Sequence, residues 1–404
     1  MRSVKLTIAG EYWDSQIYAS ELILFGFDGS MHYIDWRAAI DYLASKNADI
    51  QTALRVSFTD SDLFYSPNVL KVLSDPLIKS TIVSQLDGLA NRYFEESSNT
   101  WSNFWKTGDS ALGFLPNDTD VYYNKIFAGA DDGLYSASRG VASKSSKIKR
   151  QKHHDARYFQ LKASHRFTSI AAAVGVDGLL EFPLVDGGKL VAPEKVLATK
   201  DCNACDWAFQ NVMGWTGENS FVVNFRKERD QRTNRTKRVF DRVIDGETIF
   251  KDSRISSQGK GAFEWGSKDK MYRVSDGALE VFDFEPYTLK AVNQRMEVKG
   301  ESFSQKGKLA LNINSSQILA TGTAAFGTVI ELTDRVLVIR SDGVVESFPG
   351  EAMHWRVFPR SENYGNQLHI VYEDRLLIVS YVHDYFVNQK TKMTGSKKNS
   401  SSEE

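Results

Sequence analysis

An apolar run, an Asp-Gly step and a second apolar run recur along this chain. Leu22–Phe27 leads into Asp28-Gly29 and then into Met31–Ile34. The same order surrounds Asp132-Gly133, Asp177-Gly178, Asp276-Gly277 and Asp342-Gly343. Asp-Gly between apolar runs predicts a β-hairpin, because a type I′ turn needs two residues that tolerate positive φ. The interval from Gly133 to Gly178 is about 45 residues and that from Gly178 to Gly277 about twice as long, so a further unit is expected around Trp207–Phe250. Asn219–Phe225 and Arg242–Phe250 supply its apolar runs. A last pair, Gln367–Tyr372 and Arg375–Tyr381, turns tightly at Glu373-Asp374. The count is about seven strand-rich units, with six as the alternative.

The longest interval, Gly29 to Gly133, carries a different period. Trp36–Ser45 and Ser66–Phe94 read as helical, with Ser66-Pro67 offering an N-cap and a first-turn proline. Leu70, Leu73, Leu77, Ile78, Ile82, Leu86 and Leu89 recur at helical spacing. Pro76 and Gly88 are expected to break that run into two shorter helices. The helices read as an insertion after the first unit or as a small separate α domain. Val4–Ile8 alternates apolar and polar, as a half-buried strand does.

With these hairpins and strands, the chain resembles the β-propeller superfamily of WD40-like repeats over most of Val4–Phe386. The Gly-His and Trp-Asp dipeptides of WD40 repeats do not recur from unit to unit, and no sialidase-type Asp box is present. The resemblance implies an all-β fold, a propeller of about seven (six to seven) four-stranded blades with a helical insertion, 36–106, after the first blade. The propeller would span 1–389 and a disordered tail 390–404. It also implies that Val4–Ile8 closes the ring by pairing into the blade that contains Val371–Val382.

Composition narrows the function classes. The formal net charge is −1 over 404 residues, so no global attraction to nucleic acid or anionic membrane is expected. No apolar stretch approaches the roughly 18 residues of a membrane span. The start, Met1–Leu6, lacks a signal-peptide apolar block. Two cysteines give no disulfide framework. A cytoplasmic location is the expectation.

Candidate chemistry is sparse. Cys202-Asn203-Ala204-Cys205 lacks the second ligand pair a zinc site needs, and reads as two free thiols. His153-His154-Asp155 sits among lysines and arginines that disfavour a divalent cation, and reads as solvated loop. Asp131-Asp132 and Glu95-Glu96 read as turn and helix-end residues. No P-loop, nucleophile elbow, zincin or dinucleotide string occurs, so no catalytic, metal or cofactor residue is assigned.

Two basic segments read as exposed loops. In 144–157 the candidates are Lys147, Lys149, Arg150 and Lys152. In 226–238 they are Arg226, Arg229, Arg232, Arg235, Lys237 and Arg238, accompanied by Lys227 and opposed only by Glu228 and Asp230. Arginine forks of this density suit phosphates or an acidic protein surface, although no aromatic residue for base stacking lies within 226–238.

The reading favoured is a non-catalytic scaffold, a propeller mediating protein–protein contacts in a cytoplasmic complex. A nucleic-acid-binding protein using 144–157 and 226–238 is the alternative, and a hydrolase with its site in the propeller channel a third. Tyr93, Phe94, Trp101, Phe104 and Trp105 offer either core packing or an apolar contact surface.

Overall fold

The computed structural model describes residues 3–59, 68, 71–72, 75–90, 92–97, 99–110, 112–139, 150–229, 236–251, 262–267, 269–285, 288–292, 295–299, 301–340, 343–361 and 363–381. The fold is all-β, a propeller of seven four-stranded blades. Blade one is Tyr12–Tyr18, Glu21–Gly26, Ser30–Asp35 and Trp105–Asp109. Blade two is Asp118–Tyr122, Lys125–Gly129, Leu134–Ser138 and Gln151–His154. Blade three is Gln160–Ala163, Ser169–Ala173, Leu179–Val185 and Lys195–Ala198. Blade four is Ala204–Ala208, Asn211–Trp215, Ser220–Arg229 and Thr236–Asp245. Blade five is Phe263–Ser267, Lys270–Ser275, Ala278–Glu285 and Ser302–Ala310. Blade six is Ile318–Ala324, Gly327–Leu332, Arg335–Arg340 and Val345–Pro349. Blade seven is His354–Val357, Gln367–Val371, Arg375–Ser380 and the N-terminal strand Val4–Ala9. The chain divides into two compact units, one holding blades one, six and seven with the helices between Asp35 and Tyr93, the other blades two to five.

In the first unit, Val4–Ala9 pairs antiparallel with Arg375–Ser380, from Val4↔Ser380 to Ala9↔Arg375. The chain-end pairing that the resemblance implied is therefore present. Val4, Leu6 and Ile8 are fully buried, each contributing ~1.5–3 kcal/mol. A fifth strand, Tyr93–Glu96, covers the outer side of Val4–Ala9 in parallel register, so that edge is not left open.

The helices differ from expectation in place and extent. α1 (Trp36–Ser45) matches its predicted range, and Asp35 Oδ1 caps it by accepting from Ala38 N at 3.0 Å. α2 (Gln51–Phe58) was not predicted. α3 spans Pro76–Ala90. Asp75 Oδ1 accepts from Leu77 N at 2.8 Å, which makes Pro76 the first helical residue, so the helical run breaks there as expected. Gly88 stays within α3, where a Cβ would come 3.4 Å from Ile50. Ser66-Pro67, Leu70 and Leu73 lie outside the described residues, as does the tail 390–404.

These helices do not follow blade one; they interrupt it. Ser30–Asp35 pairs with Trp105–Asp109 across them. They are anchored to blade seven instead: Gln367 Nε2 donates to Phe58 O at 2.8 Å and Ser380 Oγ to Ser57 O at 2.7 Å. Phe94 and Trp101 are buried in the same core as Trp36, Leu86 and Leu376, with Phe104 and Trp105 packed against it. Tyr93 keeps an exposed ring while its hydroxyl donates to Thr7 Oγ1 at 2.8 Å.

Of the four Asp-Gly steps whose two residues are both described, one has the two positive φ values of the predicted type I′ turn. Asp276 and Gly277 both have positive φ, +49° and +71°. At Asp28-Gly29 and Asp177-Gly178 only the glycine is left-handed, at +82° and +89°, and Gly343 is left-handed at +82° with Asp342 outside the described residues. Each donates to a carbonyl three residues back, Gly29 N to Gly26 O at 3.2 Å for instance. At Gly29 and Gly178 that is a longer hairpin loop whose last residue, the glycine, carries the positive φ. Gly133 is not left-handed; a Cβ there would lie 2.7 Å from His154 O, so glycine serves close approach. Ala19-Ser20 and Tyr123-Asn124 form two-residue turns with both φ positive, without an Asp-Gly signal.

Side chains on first strands stitch blade to blade. In the second unit Asp118 Oδ2 accepts from Leu161 N at 2.7 Å, Gln160 Oε1 from Cys205 N at 2.8 Å and Glu264 Oε2 from Ser220 N at 3.0 Å. In the first, Arg356 grips Asp14 through two bonds, Nε–Oδ1 2.9 Å and Nη2–Oδ2 2.6 Å. Backbone donors that a flat apolar interface would strand are satisfied this way.

Candidate functional site

The segment 226–238 is not a loop. Ser220–Arg229 and Thr236–Asp245 are the last two strands of blade four, and their ladder runs on to Arg229↔Thr236. Ser220–Phe225 is buried and Arg226–Arg229 exposed, so the pair leaves the packed body as a solvated ribbon. Arg232 and Arg235 lie outside the described residues. Its charge density argued for a solvated loop; the ladder prevails because Phe225↔Phe240 and Val223↔Val243 anchor its base.

Partners on a ladder share a face. One face of the ribbon carries Phe225 with Phe240, Lys227 with Arg238 and Arg229 with Thr236. The other carries Arg226 with Val239 and Glu228 with Lys237, and Arg226 is ion-paired to Glu228 and Asp241 at 2.6 and 3.7 Å.

Arg238 is not the exposed cation that the sequence suggests. Its Nη1 takes both Glu181 oxygens, at 2.8 and 2.7 Å, and its Nε donates to Gln210 O at 2.6 Å. The guanidinium carbon lies 3.4 Å from the Phe225 ring centroid, with Phe167 and Trp207 at 5.1 and 5.2 Å. Burial draws the Arg238 pKa down, and Glu181 opposes the shift. Nη2 has no hydrogen-bond acceptor. Ser169 Oγ donates to Glu181 Oε1 at 2.6 Å, which fixes the carboxylate from blade three.

Beside this pair lies a cleft of about 370 Å³ between strands of blades three and four. Phe167, Val196, Leu197, Phe225 and Phe240 supply apolar walls, Arg238 and Glu181 the polar floor, and Lys195 a cation at the rim. Phe240 is 50% exposed and Val196 61%, so two large apolar groups stand at the mouth. Sequence reasoning found Arg238 and missed the rest. The available signals were a carboxylate inside the apolar strand Leu179–Val185 and phenylalanines just outside 226–238, at 225 and 240.

The other basic segment is dispersed. Lys147 and Lys149 lie outside the described residues. His153-His154 ends a strand of blade two rather than sitting in a loop, because Gln151–His154 pairs with Leu134–Ser136. His153 Nε2 meets Ser136 Oγ at 2.7 Å and His154 Nδ1 meets the Tyr158 hydroxyl at 2.7 Å. Lys152 is held by Asp155 at 2.6 Å and approached by Asp132 at 3.6 Å. Arg150 and Lys152 both stand 5.6 Å over the Tyr135 ring.

Cys202 and Cys205 are free and buried. Desolvation pushes Cys202 up to about 12 and Cys205 well above the usual thiol range, which makes both poor nucleophiles.

No family model matches the chain, and no curated protein matches it. Among solved structures, the β-propeller domain of Cps50 (Swd1) from Myceliophteria thermophila is 10% identical, with 93% of this chain and 98% of that one covered at a TM-score of 0.48. Sqt1 of Chaetomium thermophilum, bound to the N-terminus of ribosomal protein L10, is 10% identical over 68% and 89%, at 0.36. The Pan2 WD40 domain of Neurospora crassa is 8% identical over 66% and 89%, at 0.32. These likenesses concern the fold alone, a β-propeller domain in the first and a WD40 domain in the last.

Proposed function

We propose that the chain is a non-catalytic interaction scaffold in a cytoplasmic complex, and that the cleft between blades three and four receives a segment of a protein partner. One observation carries the reading: large apolar side chains line an open cleft whose floor is an ordered ion pair. Concave, mostly apolar sites with a few fixed polar groups are where segments and ligands bind. An exposed aromatic at the centre of such a patch is the usual energetic anchor of an interface. The free buried thiols agree with a reducing compartment.

Affinity capture with in-cell cross-linking tests the reading. The expected result is one stoichiometric partner cross-linked to residues around Phe240 and lost from Phe240→Glu. A partner that cross-links elsewhere and survives Phe240→Glu removes the cleft from the account. The nucleic-acid alternative has less support, because Arg238 is committed to Glu181 and Lys152 to Asp155.

A further inference from the structure

We infer that the segment received by the blade-three/blade-four cleft binds as an added β-strand. It runs extended along the outer edge of blade four at Thr236–Phe240, pairs its main chain with that edge, and seats one large apolar side chain between Phe167, Val196 and Phe240. The inference rests on the cleft being a docking site and adds the form in which its occupant binds.

The state of the edge carries it. Thr236–Asp245 pairs with Ser220–Arg229 on one side and, among the described residues, with no strand on the other. From Arg229↔Thr236 to Phe225↔Phe240 the pairing is residue for residue, and the register shifts only beyond it. Bulges and prolines are among the devices that blunt an outer edge, and Thr236–Phe240 has neither. An edge strand points unpaired N–H and C=O groups outward, which makes it a template for a further strand. Arg238 and Phe240 are two residues apart, share a face and line the cleft. The edge that offers main-chain partners therefore also borders the apolar pocket. Across the cleft, the outer strand of blade three is less suited: Lys195–Ala198 pairs only with Leu179–Glu181, through a register shift, and Pro193 precedes it.

Glu181 already matches Arg238, so the floor of the cleft asks for no counter-charge, and polar recognition falls to the occupant's main chain. A helix laid in the cleft would satisfy its own main chain and cover the edge groups without pairing them, which costs free energy. The chain applies the same device to itself in blade seven. There Tyr93–Glu96 adds to the outer edge of Val4–Ala9, from Lys5↔Tyr93 to Ile8↔Glu96, and Phe94 joins the core that holds Trp36. Main-chain pairing and a seated aromatic ring come together.

The test is selection from a displayed library of random short peptides on the immobilised full-length chain, with Phe240→Ser as the comparison and a cooperative thermal melt to confirm that the variant folds. The strongest winner is synthesised with single N-methyl groups placed in turn along its length, and amide exchange of the chain is read with it bound. The expected winner carries a large apolar residue among β-branched or aromatic neighbours. N-methylation at every second position should lower its affinity at least about tenfold and the positions between much less. Amides within Thr236–Phe240 should slow their exchange, and Phe240→Ser should weaken binding. Winners that need Phe240, lose affinity at positions three and four apart or at none, and leave exchange at Thr236–Phe240 unchanged overturn the added strand and leave the docking site standing. Selection that yields nothing, or winners indifferent to Phe240→Ser, overturns both.

Discussion

Two arginine–carboxylate pairs in this protein use the same chemistry to opposite ends. Asp14–Arg356 joins blade one to blade seven, with the side chains 1% and 9% exposed. Asp14 also accepts from Ser15 N at 2.7 Å, and the His354 ring stacks on Trp13 beside it. Glu181–Arg238 joins blade three to blade four, but its guanidinium borders a cleft and keeps Nη2 without an acceptor. The first pair is a weld and the second a floor. What separates them is the surroundings: apolar strands close over Asp14, while blade four's last two strands run past the body and leave Arg238 at the foot of a groove.

The comparison breaks most readily at the weld. Asp14→Ala strands the Arg356 cation in the interior and is expected to cost ~3–5 kcal/mol, read as a large fall in denaturation midpoint. A loss under about 1 kcal/mol would mean that water reaches Arg356 and that the two sites are alike.

Next in size is the pH response of the same region. His369 lies within 3.1 Å of Ser15 Oγ and burial holds its pKa down to about 3. The unfolded chain takes up that proton near 6.5 and the folded chain does not. Stability from the neutral ring is thus full above 6.5 and declines as pH falls toward about 3, by up to ~1.4 kcal/mol per pH unit. His369→Gln should flatten the melting-temperature profile between those limits; an unchanged profile assigns the acid sensitivity to other groups.

Breaking the floor should cost less than breaking the weld. Glu181→Gln is expected to lower stability by about 1–3 kcal/mol, between the ranges for buried and surface pairs. Equal losses for Glu181→Gln and Asp14→Ala would erase the distinction. Smallest of all is Phe240→Ser, expected to cost up to about 1 kcal/mol, the worth of one cross-strand aromatic pair, because the ring is half exposed. Its effect should fall on partner capture, which sharpens the contrast between a residue kept for folding and one kept for contact.

Blade-scale features were legible because they are local. Alternation in Val4–Ile8, the apolar runs around each Asp-Gly step and the amphipathic stripe of α1 all follow from short-range periodicity. Turn type was less legible. Asp-Gly marks where a chain reverses, but loop length decides whether one or two residues take positive φ, and Tyr123-Asn124 makes the tight turn without the signal. The place of the helices was hidden because Trp105–Asp109 returns to a strand 71 positions earlier, Ile34↔Trp105.

The amino-acid order by itself determined that this chain makes many short hairpins, a helical segment between Gly29 and Gly133, and a dense run of cations near 226–238. Only the tertiary structure decided that Arg238 would find Glu181, 57 residues away, while Lys227 would be left facing it. Strand period and turn chemistry act over a few residues and are written in the chain. Which charges become neighbours depends on how sheets pair and stack, and that is settled only when the apolar faces of separate blades are buried against one another.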